Sequence, residues 1–405
     1  MAPYTKIHKN LVQAIVDTLN EIFVNQRYAD KAIEYTLQSN KKWGSRDRAF
    51  IAENTYEMVR WWRLITEVGD VKDLDKASLW KIFGTWWAYD GNDLPDWEEF
   101  ATINVPQLKK RYEKLKLIRK INESIPDWLD EKGFSELPDR WEKELQALNF
   151  PAEVVLRTNT IKTTRDKLFH LLHEEGIETR KDDNYPDALV LLKRQNIFSS
   201  PSFQKGLFEV QDASSQLVGE ALAVEPGMRV VDACAGAGGK TLHLAALMKN
   251  KGRIIAMDTE AWKLENLKKR ASRAGVSIIE TRLIESTKTI KRMYDSADRL
   301  LLDVPCSGLG VIRRNPDAKW KLSEAFITSI KKIQQDIIGS YSSIIKKDGQ
   351  LVYSTCSILP SENTEQVKIF LSANPETFVL QQEKKIFPSE SGFDGFYIAK
   401  LKRIN

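Results

Sequence analysis

The chain has 405 residues, 42% of them hydrophobic and 29% charged, and a net charge of +5 at neutral pH. That length gives room for two or three domains with an ample core, and no apolar run approaches the ~20 residues that cross a bilayer. Three cysteines without a CxxC pair, and His8, His170, His173 and His243 without metal-ligand spacing, exclude a disulfide scaffold and a zinc site of ordinary spacing, so no metal is expected. The N-terminal MAPYTKIHKN lacks the apolar core of a signal peptide, which predicts a cytoplasmic protein, and a monomer is expected. The charge is uneven. Residues 1–150 carry 23 Lys/Arg against 25 Asp/Glu, whereas residues 251–350 carry 20 against 12. A basic stretch suits a polyanionic partner such as nucleic acid, although a solvated helix face, as in KLENLKKRASR, explains such a run equally well.

Residues 1–145 read as helical. LVQAIVDTLNEIF and RDRAFIAENTYEMVRWWRLI repeat their apolar residues at three- and four-residue spacing, with Ser45 as a candidate N-cap. Nine of the eleven tryptophans fall between Trp43 and Trp141, where helix–helix packing is the expected role and base stacking by Trp61–Trp62 or Trp86–Trp87 the alternative. From Pro151 the pattern changes to a small α/β module over 146–205: strands AEVVLRTNTI and DALVLL around the amphipathic helix TRDKLFHLLHEEGI. Strand–helix alternation then fills 206–405: MRVVDAC, KTLHLAALMKN, RIIAMD, EAWKLENLKKRASRAG, ADRLLLDVP, SEAFITSIKKIQQDIIGSYSSII, GQLVYSTCS and TEQVKIFLSAN. This pattern predicts a doubly wound, mostly parallel α/β sheet.

The chemistry-bearing residues cluster where these strands end. Cys234 follows RVVDA, Cys306 follows LLLDVP and Cys356 follows GQLVYST, with Asp232, Asp258 and Asp303 at comparable strand ends. In an open α/β sheet that edge is where ligands bind. One free cysteine is as often a small buried hydrophobe, but three after three strands point to thiol chemistry. Gly236, Gly238 and Gly239 turn the chain from strand to helix, and Asp258 stands about 20 residues on, where a carboxylate receives ribose hydroxyls. A dinucleotide or S-adenosylmethionine would satisfy both features. The GAGGKT stretch lacks the spacing of a phosphate-binding P-loop.

DACAGAGGKT, AMD, LLLDVPCSGLGVIRRNPDAKW and YSTCSILPSEN together resemble the Sun-type RNA (cytosine-5) methyltransferases, in particular their bacterial small-subunit ribosomal branch. FEVQDASSQLVGEAL and LRTNTIKTTRDKL match the same family, and GSRDRAFIAENTYEMVRWW resembles its NusB-like helical domain. The resemblance implies a Rossmann-like methyltransferase domain over 206–405, a small RNA-binding α/β module over 146–205 and a NusB-like domain over 1–145. It implies Cys356 as the nucleophile that adds to cytosine carbon 6, and Cys306 as the group that drives release. Asp303 would bond the cytosine's ring nitrogen 3 or amino group, and Lys240 faces the site. S-adenosylmethionine would lie along Cys234, Ala235, Gly236, Ala237, Gly238, Gly239 and Lys240, with Asp258 on its ribose and Asp303 beside it.

The family's adenine-side acid is replaced by Ile284, leaving Glu280 or Glu285 as candidate substitutes. Arg313, Arg314 and Lys319 follow the PC motif in an expected loop, as phosphate contacts or as a simple solvated segment. The function so implied is cytosine-5 methylation of small-subunit ribosomal RNA. Transfer RNA as substrate, a non-catalytic RNA-binding assembly factor and a nicotinamide oxidoreductase are the alternatives; the last leaves Cys306 and Cys356 without a role.

Overall fold

Helices with an apolar stripe must bury it against one another, and residues 9–148 do so. The computed structural model describes residues 7–405, so the first six residues of the N-terminal segment fall outside it. One unit of the chain comprises residues 1–149 together with 312–323. In it helices Lys9–Phe23, Ser45–Arg60 and Lys76–Tyr89 enclose the fully buried Ile15, Leu19, Ile51, Met58 and Phe83. Trp62, Trp80, Trp86 and Trp87 belong to this core, and Trp141 is buried with Nε1 donating to Asp130 Oδ1 at 2.8 Å. These tryptophans are packing residues. Ser45 opens its helix rather than capping it. Gly44 is the N-cap, and its amide donates to Asp47 Oδ2 at 3.2 Å.

Segment 312–323 supplies a wedge to the same core. Trp320 packs against it and donates from Nε1 to the Val59 carbonyl at 2.7 Å, while the Ala29 amide donates to Asp317 Oδ2 at 2.9 Å.

The second unit comprises residues 150–311 and 324–405 and contains two sheets. Strands β1 (Val155–Thr158), β2 (Thr179–Lys181), β3 (Ala188–Leu191) and β4 (Phe208–Val210) pair antiparallel in the order β2-β3-β1-β4. Leu156, Leu189 and Phe208 pack on Leu168 and Leu172 of helix Arg165–Glu174. The fourth strand lies beyond the 146–205 span read from the sequence.

The larger sheet has seven strands: β5 (Arg229–Asp232), β6 (Arg253–Asp258), β7 (Ile279–Leu283), β8 (Ala297–Asp303), β9 (Ile345–Thr355), β10 (Phe378–Ile386) and β11 (Phe396–Arg403). Their order is β10-β11-β9-β8-β5-β6-β7. Strands β5 to β9 run parallel, and β10 and β11 are antiparallel at one edge. Val230, Ile254, Leu301 and Val352 face one apolar layer with helices Ala213–Ala221 and Gly239–Leu247. Val231, Ile255, Leu300, Leu351 and Tyr353 face the other, with helices Glu324–Tyr341 and Thr364–Ala373. Burial on both faces is why these strands read as unbroken apolar runs. The fold is doubly wound and Rossmann-like. The chain reverses its direction of travel across the sheet between β5 and β8, the switch point beside whose C-terminal strand ends ligands bind in such sheets. Among the described residues no helix is long and apolar enough to cross a membrane.

Candidate active site

The loop after β5 is built around glycine. Gly238 lies at φ +86°, and a Cβ there would come within 2.5 Å of Leu267 Cγ, so only glycine lets the loop press against helix Ala261–Ala274. Gly236, at φ +54°, has open space where a Cβ would stand, which leaves the backbone accessible to a ligand. The Gly236 amide donates to Asp258 Oδ2 at 2.9 Å, and the Glu260 amide donates to Oδ1 at 2.9 Å. The loop's carbonyls are held as well: Arg270 Nη1 donates to Ala237 O at 2.8 Å and Arg157 Nη1 to Gly239 O at 2.6 Å. Cys234 and Ala235 begin the loop, and the Ala235 amide donates to Met257 O at 2.9 Å. Burial pushes the Cys234 thiol well above the usual range. Beneath the loop, burial raises the Asp232 carboxyl to about 7, although Thr241 Oγ1 donates to it at 2.7 Å.

Across the switch point the ends of β8 and β9 stand side by side, with Asp303 opposite Ser354. Asp303 Oδ2 accepts from Lys240 Nζ at 2.7 Å and Oδ1 from Ser354 Oγ at 2.8 Å. Lys240 comes from the first turn of helix Gly239–Leu247 and lies 5.1 Å from the centroid of the Phe396 ring. Burial opposes its charge, but Asp303 outweighs burial and raises the lysine's pKa. Cys306 lies three residues beyond Asp303 and Cys356 two beyond Ser354, and their sulfurs are 3.2 Å apart. The hydrogen bond to Cys356, together with burial, pushes the Cys306 thiol well up. The structure thus gathers Lys240, Asp303, Cys306 and Cys356 at one place in this unit: two thiols in contact beside an ion pair.

Other candidates are placed differently. Lys319, 2% exposed, lies in the helical unit and donates to Asn149 Oδ1 at 3.2 Å. Arg313 is also buried there, its carbonyl accepting from Arg60 Nη2 at 3.2 Å, and Arg314 is half-buried. The expected exposed loop is therefore a packed segment. Burial, reinforced by Arg60, drives the Lys319 pKa well down. Glu280 sits opposite Ile255 in the body of the sheet and pairs with Arg253 and with Arg282, which leaves it committed away from the strand end. Ile284 does reach that end: its amide donates to Asp258 O at 2.9 Å and its side chain packs on the core, while Glu285 is exposed.

Sequence reasoning missed Glu362. It is fully buried and accepts bonds from the residues that follow both cysteines, Ser307 and Ser357. Its one sequence signal is an acid in an otherwise serine-rich, apolar stretch just past the third cysteine.

The model of the 16S rRNA methyltransferases RsmB/F matches residues 220–402, and the model of the ferredoxin-like domain of RsmF/B-like methyltransferases matches residues 125–198. The probable ribosomal RNA small subunit methyltransferase B of Bacillus subtilis is 35% identical over 296 residues, which cover 69% of this chain and 65% of that protein. Its counterpart in Synechocystis sp. is 35% identical over 302 residues, covering 69% of this chain and 67% of that protein. The chain thus spans about two thirds of the length of these curated relatives. The crystal structure of PH0851 superimposes with a TM-score of 0.82 over 98% of this chain and 99% of that one, at 25% identity. With the doubly wound sheet, its glycine loop and the family match all falling on the same stretch, this chain belongs to the RsmB/F family of 16S rRNA methyltransferases.

Proposed function

We propose that the chain is an S-adenosylmethionine-dependent methyltransferase acting on carbon 5 of a cytosine in small-subunit ribosomal RNA. The observation that carries this reading is the pair of thiols at 3.2 Å beside the Lys240–Asp303 ion pair. The residues present fit the cofactor. An ionised carboxylate has about four lone-pair sites. Backbone amides take two of those on Asp258, which leaves capacity for a ribose diol, and Gly236 leaves open backbone beside it. Held by Asp258 and the loop Cys234–Lys240, S-adenosylmethionine would supply an electrophilic methyl group for carbon 5.

The protein's task is to make carbon 5 nucleophilic. The Cys356 thiolate adds to carbon 6, and the electron pair of the C5=C6 bond moves toward carbon 5. Asp303, held by Lys240 and Ser354, is the group that would bond the cytosine's amino group or ring nitrogen 3. Once carbon 5 carries its methyl group, its proton must leave. Once Cys356 is bonded to carbon 6 it no longer holds the Cys306 thiol as in the free enzyme, and Cys306, its proton passed to water, stands beside the adduct as the base. Its thiolate then takes the carbon 5 proton, the C5=C6 bond re-forms, and the C6–S bond breaks to return the thiolate of Cys356. The base must leave its stack to reach the thiol. The small antiparallel sheet and the basic stretch over 251–350 supply RNA contacts through phosphates and shape.

Denaturing gel electrophoresis with ribosomal RNA fragments tests the assignment. Cys306→Ala should accumulate a protein–RNA adduct with ordinary cytosine, whereas Cys356→Ala and the double variant should give none and transfer no methyl group. An adduct trapped by Cys356→Ala would exchange the two roles. No adduct with ribosomal RNA, but one with transfer RNA, would move the substrate; no adduct with either would favour an RNA-binding assembly factor.

A further inference from the structure

The two thiols are carried by separate loops, and something must hold those loops in contact. One backbone bond does so directly, from the Gly310 amide to the Cys356 carbonyl at 2.9 Å. The larger share falls to Glu362, which is fully buried. On the Cys306 side its Oε2 accepts from the Ser307 amide at 2.7 Å, and its Oε1 accepts from Ser307 Oγ. On the Cys356 side Oε1 accepts from Ser357 Oγ at 2.6 Å. Gln334 Nε2 donates to Oε2 at 3.2 Å and also to the Pro305 carbonyl at 3.0 Å, which ties helix Glu324–Tyr341 to the Cys306 loop. Tyr353, on β9, donates to the Glu362 carbonyl at 2.8 Å. A buried carboxylate is tolerated when hydrogen bonds meet its charge, and here donors from both loops and a helix meet it.

We propose that Glu362 is the positioning residue of the two-thiol centre: its carboxylate locks the Cys306 loop to the Cys356 loop, and its negative charge directs nucleophilic character to Cys356. The arrangement of charge agrees with this division. Glu362 is among the charges that disfavour ionisation of Cys306, whereas Lys240 interacts with Cys356. The nucleophilic part of this assignment deepens the function proposed above, but the locking role stands apart from it.

The test is alkylation of the full chain by iodoacetamide at pH 8 without RNA or cofactor, with each cysteine followed by peptide mass mapping. In the unaltered protein Cys356 should react before Cys306. Glu362→Gln removes the charge and turns one acceptor into a donor facing the Ser307 and Ser357 hydroxyls, and the Cys356-to-Cys306 rate ratio should fall about tenfold or more, one pKa unit of differential stabilisation. Glu362→Asp keeps the charge and should preserve the order of reaction. With RNA, Glu362→Gln should lower kcat about tenfold while KM for RNA and cofactor stays within about twofold. An unchanged alkylation ratio in a folded Glu362→Gln protein overturns the proposal. If that variant does not fold, Ser307→Ala decides: it keeps the carboxylate and removes one donor, and an unchanged ratio there overturns the proposal too. Because alkylation requires no turnover, a chain that failed to methylate cytosine would still answer this question.

Discussion

Asp258 holds the glycine loop with two of its lone pairs, and on the function proposed above its remaining lone pairs would take the ribose, so that one residue would couple loop geometry to cofactor affinity. Hydrogen bonds to a charged acceptor contribute about 1.5–3 kcal/mol. Asp258→Ala should therefore weaken S-adenosylmethionine binding by roughly 10- to 150-fold, measured by calorimetry. An unchanged dissociation constant would place the ribose elsewhere. Asp232 offers a second test, through pH. Burial raises its carboxyl from 3.8 in the unfolded chain to about 7. Between those values the folded protein holds a proton that the unfolded chain has lost, so stability falls as pH rises through this window and is lowest above about 7. The full difference is on the order of 4 kcal/mol. Comparing Tm at pH 5 and pH 8, Asp232→Asn should abolish this part of the decline; an identical pH dependence in the variant would mean that Asp232 stays ionised.

Segment 312–323 shows what an element does to its residues. A basic run after the PC motif invites a nucleic-acid reading because charged side chains are rarely buried alone. Trp320 and Asp317 anchor the segment, however, and carry Lys319 inside. Replacing a buried amine by an apolar side chain of similar length is often neutral. Lys319→Met should leave stability within about 1 kcal/mol and leave both RNA affinity and its salt dependence unchanged. A phosphate contact would instead weaken binding and reduce the salt slope by about one, in titrations at several salt concentrations. The same contrast explains what could be read from sequence. β5, β6, β8 and β9 were legible because both faces are buried, as were Asp303 and the thiols at or just past their ends and Lys240 in the helix after β5. β7, with its IETRL sequence, and β10, with FVLQQEKKI, are edge strands whose polar residues mask the period, and β11 was missed with its partner. Glu362 was illegible for another reason: its importance comes from donors far apart in sequence, which meet only in the fold.

At the scale of the whole molecule the chain does not divide into consecutive pieces. The helical unit takes residues 1–149 and also borrows 312–323 from within the Rossmann-like half. That loan has a physical consequence. The bonds from Trp320 to Val59, from Lys319 to Asn149 and from Ala29 to Asp317 form only when the helices are present. A chain beginning at Phe150 would expose the segment's apolar side chains and leave its polar groups without these partners. Its sheet would remain, since the two apolar layers around β5, β8 and β9 are formed within the second unit. Such a chain should fold with near-native far-ultraviolet dichroism over the sheet but be cut rapidly by trypsin after Arg313, Arg314, Lys319 or Lys321, sites the full chain protects. Adding residues 1–149 as a separate polypeptide should restore protection, because the partners of Asp317, Lys319 and Trp320 lie there. Equal trypsin resistance in the truncated and full chains would show that segment 312–323 is held by the second unit instead, and that the helical domain can be removed without disturbing it.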